Sequence, residues 1–368
     1  MNILYLTNHL NIGGISSYVL SLARGMKERG HGVYVASSRG ELAERFCAEG
    51  IAYLPIPIDT KSEANLPKIL SSLQRSLGYI KEKDIDIVHS NTRITSVLGS
   101  LLEYFSRKPH ISTCHGFFKK RFIRRIFPCW GRKVIAISEQ VKEHLIADLG
   151  VRQRDITVIH NGIELARFKD YNQNFKVDTK RNLGLGPGPV VGIVARLSEV
   201  KGHTYLIRAM KSVLEKAADA QLLIVGDGKI KSGLHELVRS LDIERSVFFM
   251  PSVLDTSRVL SIMDLFVLPS LKEGLGLSLM EAMASGLAVI GSDVGGIKSL
   301  IQDRETGLLV EPANPAALSS AILELLKEPS RARVLGEAAR SFIGERFSLR
   351  EMVLETERLY LECVNVSY

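Results

Sequence analysis

The sequence predicts a doubly wound α/β protein made of two parallel-sheet domains in tandem. Three observations carry that prediction. Short apolar runs of strand length alternate with helix-length segments through nearly all of the 368 residues. The strands are apolar on both faces, as parallel strands covered by helices on each side must be. A stretch dense in Gly and Pro, Leu183-Gly-Leu-Gly-Pro-Gly-Pro189, divides the strands into two sets.

The first set falls at residues 3–7, 32–36, 87–90, 111–114, 134–137 and 157–159. The second falls at 190–194, 221–225, 247–249, 265–268 and 288–291. In each set the first strand is followed by a loop and then a helical pattern, the order of a doubly wound sheet. A first domain is expected at 1–168 and a second at 185–347, joined by a polar linker near 165–187. Residues 348–368 read as a closing helix, with Ser348 as its N-cap and apolar residues at helical spacing. Two cores of ordinary size fit this length.

Composition narrows the function classes. No apolar run approaches the roughly 20 residues needed to cross a bilayer. The first residues lack the basic lead and small-residue cleavage site of a secretory signal. Cys47, Cys114, Cys129 and Cys363 are scattered without metal-ligand or disulfide-framework spacing, so reduced thiols and a cytoplasmic setting are expected. The net charge of +8 calls for an anionic partner: a nucleic acid, a membrane or a small anion.

The richest stretch is Glu273-Gly-Leu-Gly-Leu-Ser-Leu-Met-Glu281. It follows an apolar strand, giving the order strand, glycine turn, helix. Free backbone N–H groups at the helix start favour a phosphate or other oxyanion. A carboxylate beside such a spot is suited to accept hydrogen bonds from hydroxyls, as ribose and sugars offer. A sugar on a nucleotide diphosphate needs both contacts. Taken alone, the same residues also read as a capped surface helix with ordinary acids.

Other strand ends carry comparable residues. Gly13 and Gly14 follow the first strand and allow close approach of a ligand. His115 and Gly116 follow the fourth, and Asn161 and Gly162 the last strand of the first set. Arg196 and Lys201 bracket the loop after residues 190–194 and can reach one diphosphate together, Arg as a planar fork and Lys as a point charge. They read equally as a solvated surface pair. Gly226-Asp-Gly228 and Asp293-Val-Gly295-Gly296 make tight turns at two further strand ends.

At these residues the chain resembles the family 4 retaining glycosyltransferases of the GT-B fold. The matching pieces are Gly13-Gly14, Thr113-Cys-His115-Gly116, Val158-Ile-His-Asn161-Gly162, Val194-Ala-Arg196 with Lys201-Gly202, Val225-Gly226-Asp-Gly228, Pro269-Ser270 with Glu273 and Glu281, and Asp293-Val-Gly295-Gly296. The resemblance covers roughly residues 1–345. Leu275 stands where the family often has Phe, and Lys298-Ser299 where it usually has Pro-Glu.

The resemblance implies two Rossmann-like domains facing across a cleft, the second holding a nucleotide-diphosphate sugar and the first an acceptor, with the final helix packed back on the first. It implies that Arg196 and Lys201 bind the diphosphate and support the leaving group. Glu281 would bind the ribose hydroxyls, Glu273 would bind the transferred sugar, and His115 would stand near that sugar. Gly13, Gly14, Asn161, Gly226 and the amides of Gly274, Leu275, Gly276 and Leu277 would complete the donor site. No Asp-x-Asp metal motif stands in a suitable loop, so no metal and no cofactor beyond the donor is expected. A nucleotide-sugar epimerase of the same architecture and a non-catalytic nucleotide-sugar-binding protein are the alternatives.

Residues 117–133 carry seven basic residues (119, 120, 121, 124, 125, 132 and 133) and no acid, interleaved with Phe117, Phe118, Phe122, Phe127 and Trp130. A helix with cations on one face and aromatics on the other would lie on an anionic membrane. The same residues also suit a domain core with a solvated basic face. Membrane attachment would fit a peripheral enzyme on the inner face of the cytoplasmic membrane acting on a lipid-linked saccharide. Nucleic acid is not expected, because no recognition motif accompanies the charge.

Overall fold

The computed structural model describes residues 1–60, 62, 65–118, 127–168 and 171–365. The chain forms two compact units, one of Met1–Gly162 with Leu349–Tyr368, the other of Ile163–Ser348.

The first unit is built on a seven-stranded parallel sheet in the order β3-β2-β1-β4-β5-β6-β7. Its strands are β1 (Asn2–His9), β2 (Gly32–Ser38), β3 (Ala52–Pro55), β4 (Ile87–Ser90), β5 (His110–Cys114), β6 (Lys133–Ala136) and β7 (Ile156–Val158). Alternation along β1 explains why the sheet is covered on both faces. Ile3 and Tyr5 enter one core with Val19, Leu22, Val353 and Tyr360. Leu4 and Leu6 enter the other with Ile69, Leu98 and Leu102. The helix Leu349–Asn365 belongs to the first core, through Met352, Val353, Leu359 and Tyr360. It approaches the helix Gly14–Glu28 closely, and a Cβ on Gly25 would overlap the Val353 side chain.

The second unit repeats the plan with a six-stranded parallel sheet, order β10-β9-β8-β11-β12-β13. Here β8 is Val190–Val194, β9 Gln221–Val225, β10 Val247–Met250, β11 Leu265–Leu268, β12 Ala288–Ser292 and β13 Leu308–Val310. Both sheets start at a central strand, wind outward one way, then return and wind the other. Each therefore has one switch point, between β1 and β4 and between β8 and β11, where loops at the carboxyl ends diverge and leave room for a ligand.

Three expectations change. The edge strands β3 and β13 are additional to the predicted sets. The region expected as a linker near 165–187 contains the helix Gln173–Asn182, and the units divide at Gly162 and Ile163 instead. No residue of that helix is buried, so it carries no apolar stripe to reveal it. Part of the basic aromatic segment, residues 119–126, lies outside the described residues. Of its flanks, Phe127 is exposed, but Trp130 is a buried core residue rather than a membrane-facing one. Arg132 pairs with Glu103 at 2.8 Å, and Lys133 donates to the Arg154 carbonyl at 2.7 Å. Among the described residues no helix is long and apolar enough to cross a membrane.

Candidate active site

In the second unit the residues singled out by the sequence sit on successive loops at the carboxyl ends of β8, β9, β11 and β12. The loop after β8 is stitched to the turn after β9. Ala195 N donates to Val225 O at 3.0 Å, and Leu197 N to Asp227 O at 2.9 Å. Gly226 and Gly228 permit this, because a Cβ on either would overlap the carbonyl oxygen of Ala195 or Leu197. Gly202 has φ 72° and faces the Pro269 carbonyl oxygen with no room for a Cβ. Arg196 and Lys201 are thus presented by a stiff loop.

Arg196 is exposed and has no ion-pair partner among the described residues. Lys201 forms an ion pair with Glu273, whose carboxylate also accepts the Ser270 hydroxyl at 3.2 Å. The Glu273 carbonyl accepts Gly296 N at 3.0 Å, and a Cβ on Gly296 would overlap the Gly274 backbone. The Asp293–Gly296 turn therefore clamps the Glu273 turn from behind. Gly276, at φ 101°, begins the helix Leu277–Ala284 with no side-chain cap, which leaves its first amides open to an anion.

Glu281 lies in the second turn of that helix and is 8% exposed. Burial pushes its carboxyl up to about 7; the Arg167 guanidinium and the Thr256 hydroxyl pull the other way, and Asp255 adds a small upward push. A desolvated carboxyl lacking its full set of donors is poised to gain from ligand hydroxyls.

The first unit holds the remaining predicted residues. Gly13 and Gly14 join β1 to the helix Gly14–Glu28, and a Cβ on either would meet nothing within 4 Å. Neither is demanded by packing; together they leave open space above the strand. His115 follows β5 with Nε2 at 3.2 Å from Asn91 Oδ1. Nε2 therefore carries the hydrogen and Nδ1 stays an acceptor. Burial pushes the imidazole down to about 3, so it is neutral at ordinary pH. The Tyr18 ring meets it edge-on at 4.7 Å. Behind them runs a buried chain: Tyr18 OH to Thr113 at 3.3 Å, Thr113 to His89 Nε2 at 2.7 Å, His89 Nδ1 to Tyr360 OH at 2.6 Å, and Tyr360 OH to Tyr5 OH at 3.1 Å. Asn161 follows β7, 6% exposed, and its Oδ1 has no hydrogen-bond partner among the described residues.

The structure thus brings Arg196, Lys201, Gly226, Glu273, Gly274, Leu275, Gly276, Leu277 and Glu281 together in one unit, and Gly13, Gly14, His115 and Asn161 in the other. Arg167, Asp255 and Thr256 around Glu281, and Tyr18 and Asn91 around His115, were not singled out by the sequence. They stand more than twenty residues along the chain from the groups they surround, so no local spacing marks them.

Comparison with known proteins fits both units. Residues 12–167 match the family Glycosyltransferase Family 4, and residues 176–342 match Glycosyl transferases group 1. The capsular polysaccharide biosynthesis glycosyltransferase CapM of Staphylococcus aureus is 26% identical over 351 residues, covering 91% of each chain. The UDP-Gal:alpha-D-GlcNAc-diphosphoundecaprenol alpha-1,3-galactosyltransferase of Escherichia coli is 27% identical, over 82% of this chain and 81% of its own. The solved structure of Anabaena Alr3699/HepE with UDP-glucose superposes with a TM-score of 0.87 at 22% identity, over 98% of this chain and 99% of that one. The chain belongs to the family 4 glycosyltransferases and has their GT-B fold.

Proposed function

We propose that this glycosyltransferase takes a hexose from a nucleotide-diphosphate sugar and passes it, with retention at the anomeric carbon, to a glycolipid or polysaccharide precursor. One observation carries the reading. The helix Leu277–Ala284 has an uncapped start flanked by the Lys201–Glu273 pair, and it carries buried Glu281 one turn further in. Cation, open amides and two carboxylates then follow the order of sugar, diphosphate and ribose along such a donor.

In this reading the bond from the anomeric carbon to the diphosphate oxygen breaks, a bond to the acceptor hydroxyl forms on the same face, and the hydroxyl proton leaves with the diphosphate. Negative charge on the departing diphosphate develops only during reaction, so Arg196 and Lys201 stabilise the transition state more than the ground state. Those two cations do the work often given to a metal, and no metal is required. Glu281 binds the ribose hydroxyls and Glu273 those of the sugar. His115, held neutral, accepts a sugar hydroxyl through Nδ1 and is not a charged acid. Gly13, Gly14, Asn161 and Gly226 leave room for the donor. The names of the Escherichia coli and Staphylococcus aureus relatives, a lipid-linked galactosyltransferase and a capsular polysaccharide enzyme, support a lipid-linked saccharide acceptor. The basic run within 117–133 would hold the enzyme peripherally at the inner, cytoplasmic face of the membrane.

A thermal-shift panel of nucleotide sugars, with and without EDTA, tests the reading. Stabilisation by one donor class that survives EDTA is expected. A flat response to every donor would overturn the donor assignment, and a shift abolished by EDTA would overturn metal independence.

A further inference from the structure

The first unit carries a cavity of about 730 Å³ whose lining residues have no role so far. It opens at the carboxyl ends of β2 and β3, between the helices Ala43–Ala48 and Leu66–Glu82. Its volume is in the range of small-molecule sites. Ala43 and Ile56 are buried in its floor, and the Tyr53 ring, Pro55 and Pro57 give it apolar walls. Tyr53 spends its hydroxyl on the Ser37 carbonyl at 3.2 Å, so it offers the ring alone.

Arg39 and Arg75 stand at this cavity, both exposed and without an ion-pair partner among the described residues. Two carboxylates share the lining. Asp59 is taken by Lys68 at 2.7 Å. Glu44 occupies the first turn of the helix Ala43–Ala48, where the helix dipole already favours it. Two guanidiniums therefore face one uncommitted acid. Pro55 and Pro57 have no N–H to offer, which disfavours a peptide strand as the occupant. What remains is an anion with an apolar body. The turn bearing Arg39 is also bonded to the first loop: Leu42 N donates to Leu10 O at 2.8 Å, and Ile12 N to Glu41 Oε2 at 3.4 Å. This turn therefore ties the cavity wall to the loop that continues into Gly13 and Gly14.

We propose that this cavity binds the phosphate-bearing end of an amphiphilic acceptor, with Arg39 and Arg75 on the phosphate and the apolar floor against the start of the lipid chain. The identification of the occupant as an acceptor rests on the transferase reading above; the binding itself does not.

Cys47 supplies the readout, because it lines the cavity and is exposed while Cys114 and Cys363 are buried. Its alkylation rate can be followed by peptide mass spectrometry with decyl phosphate present below its micelle concentration. Protection of Cys47 by decyl phosphate is expected, with half-protection needing at least about tenfold more ligand in the R39Q/R75Q variant, as loss of charge-assisted contacts implies. Both arginines are exposed, so the variant should keep the wild-type thermal transition. Absence of protection, equal protection of the variant, or equal protection by decanol would overturn the proposal. Equal protection by inorganic phosphate would overturn the lipid assignment. Donor-induced thermal shifts are read separately, so failure here is distinguishable from failure of the transferase reading.

Discussion

Replacing Glu281 by Gln removes a charge while keeping the shape, and its effect on stability should be absent at low pH and grow as pH rises. In the folded chain this carboxyl is raised from its ordinary 4.5 to about 7 by burial. At about 1.4 kcal/mol per pH unit, that displacement is worth about 3 kcal/mol. Below pH 4.5 the group is protonated in folded and unfolded chains alike and contributes no difference. Between 4.5 and 7 the unfolded chain ionises first, and above 7 the fold bears the whole cost. Stability of the wild-type second unit should therefore fall as pH rises through this window, and Glu281→Gln should flatten the fall. At pH 8 the variant should be more stable by up to about 3 kcal/mol, and near pH 4 it should match the wild type.

Calorimetry and far-UV dichroism suit the measurement, because the single tryptophan, Trp130, reports on the first unit and serves as an internal control. The same variant should lose transfer activity, since an amide replaces the acceptor for ribose hydroxyls. Donor binding near pH 6.5 should release protons, seen as a calorimetric heat that depends on buffer ionisation. A Glu281→Gln chain whose stability offset is the same at pH 4 and pH 8 would refute the burial argument. One with full activity would refute the ribose assignment.

Other residues separate binding from folding. Arg196→Ala should leave the thermal transition unchanged, because the side chain is exposed, yet weaken nucleoside-diphosphate binding by about 1.5–3 kcal/mol, the scale of a charge-assisted contact, read by calorimetric titration. Lys201→Ala should lose activity and also stability, since it leaves the part-buried Glu273 without its cation; the transition temperature checks the second half. Gly202→Ala should destabilise the second unit by more than about 1 kcal/mol, as a left-handed residue pressed on the Pro269 carbonyl, measured by denaturant unfolding. Tyr360→Phe should cost about 1–3 kcal/mol in the first unit by stranding His89 Nδ1, with Trp130 fluorescence as the probe.

Much of this was legible before the fold was known. The central strands are apolar on both faces, so β1, β4, β8 and β11 announce themselves. Two of the edge strands, β3 and β13, do not. β3 ends in Pro55, and β13 spans only three residues. The site was legible wherever one loop carries several informative residues, as from Glu273 to Glu281. It was illegible where the chemistry is assembled from afar. Glu281 owes its raised carboxyl to burial, with a small push from Asp255 and opposition from Arg167 and Thr256, all distant in sequence, and the cavity beside β3 draws its cations from two separate elements. The Lys201–Glu273 pair is intermediate: both residues stood out, but not their contact.

The helix Leu349–Asn365 has a consequence for the order in which the protein is made. During synthesis residues 1–162 leave the ribosome first, yet their core lacks Val353 and Tyr360 until the last turns of the chain arrive. The second unit, contiguous from Ile163 to Ser348, has all of its residues earlier. The unit translated first is thus the unit completed last, and a nascent chain halted before residue 349 would hold a finished second sheet and an unsealed first one. Loss of the final helix should therefore show itself as aggregation through the first unit, with the second still folded.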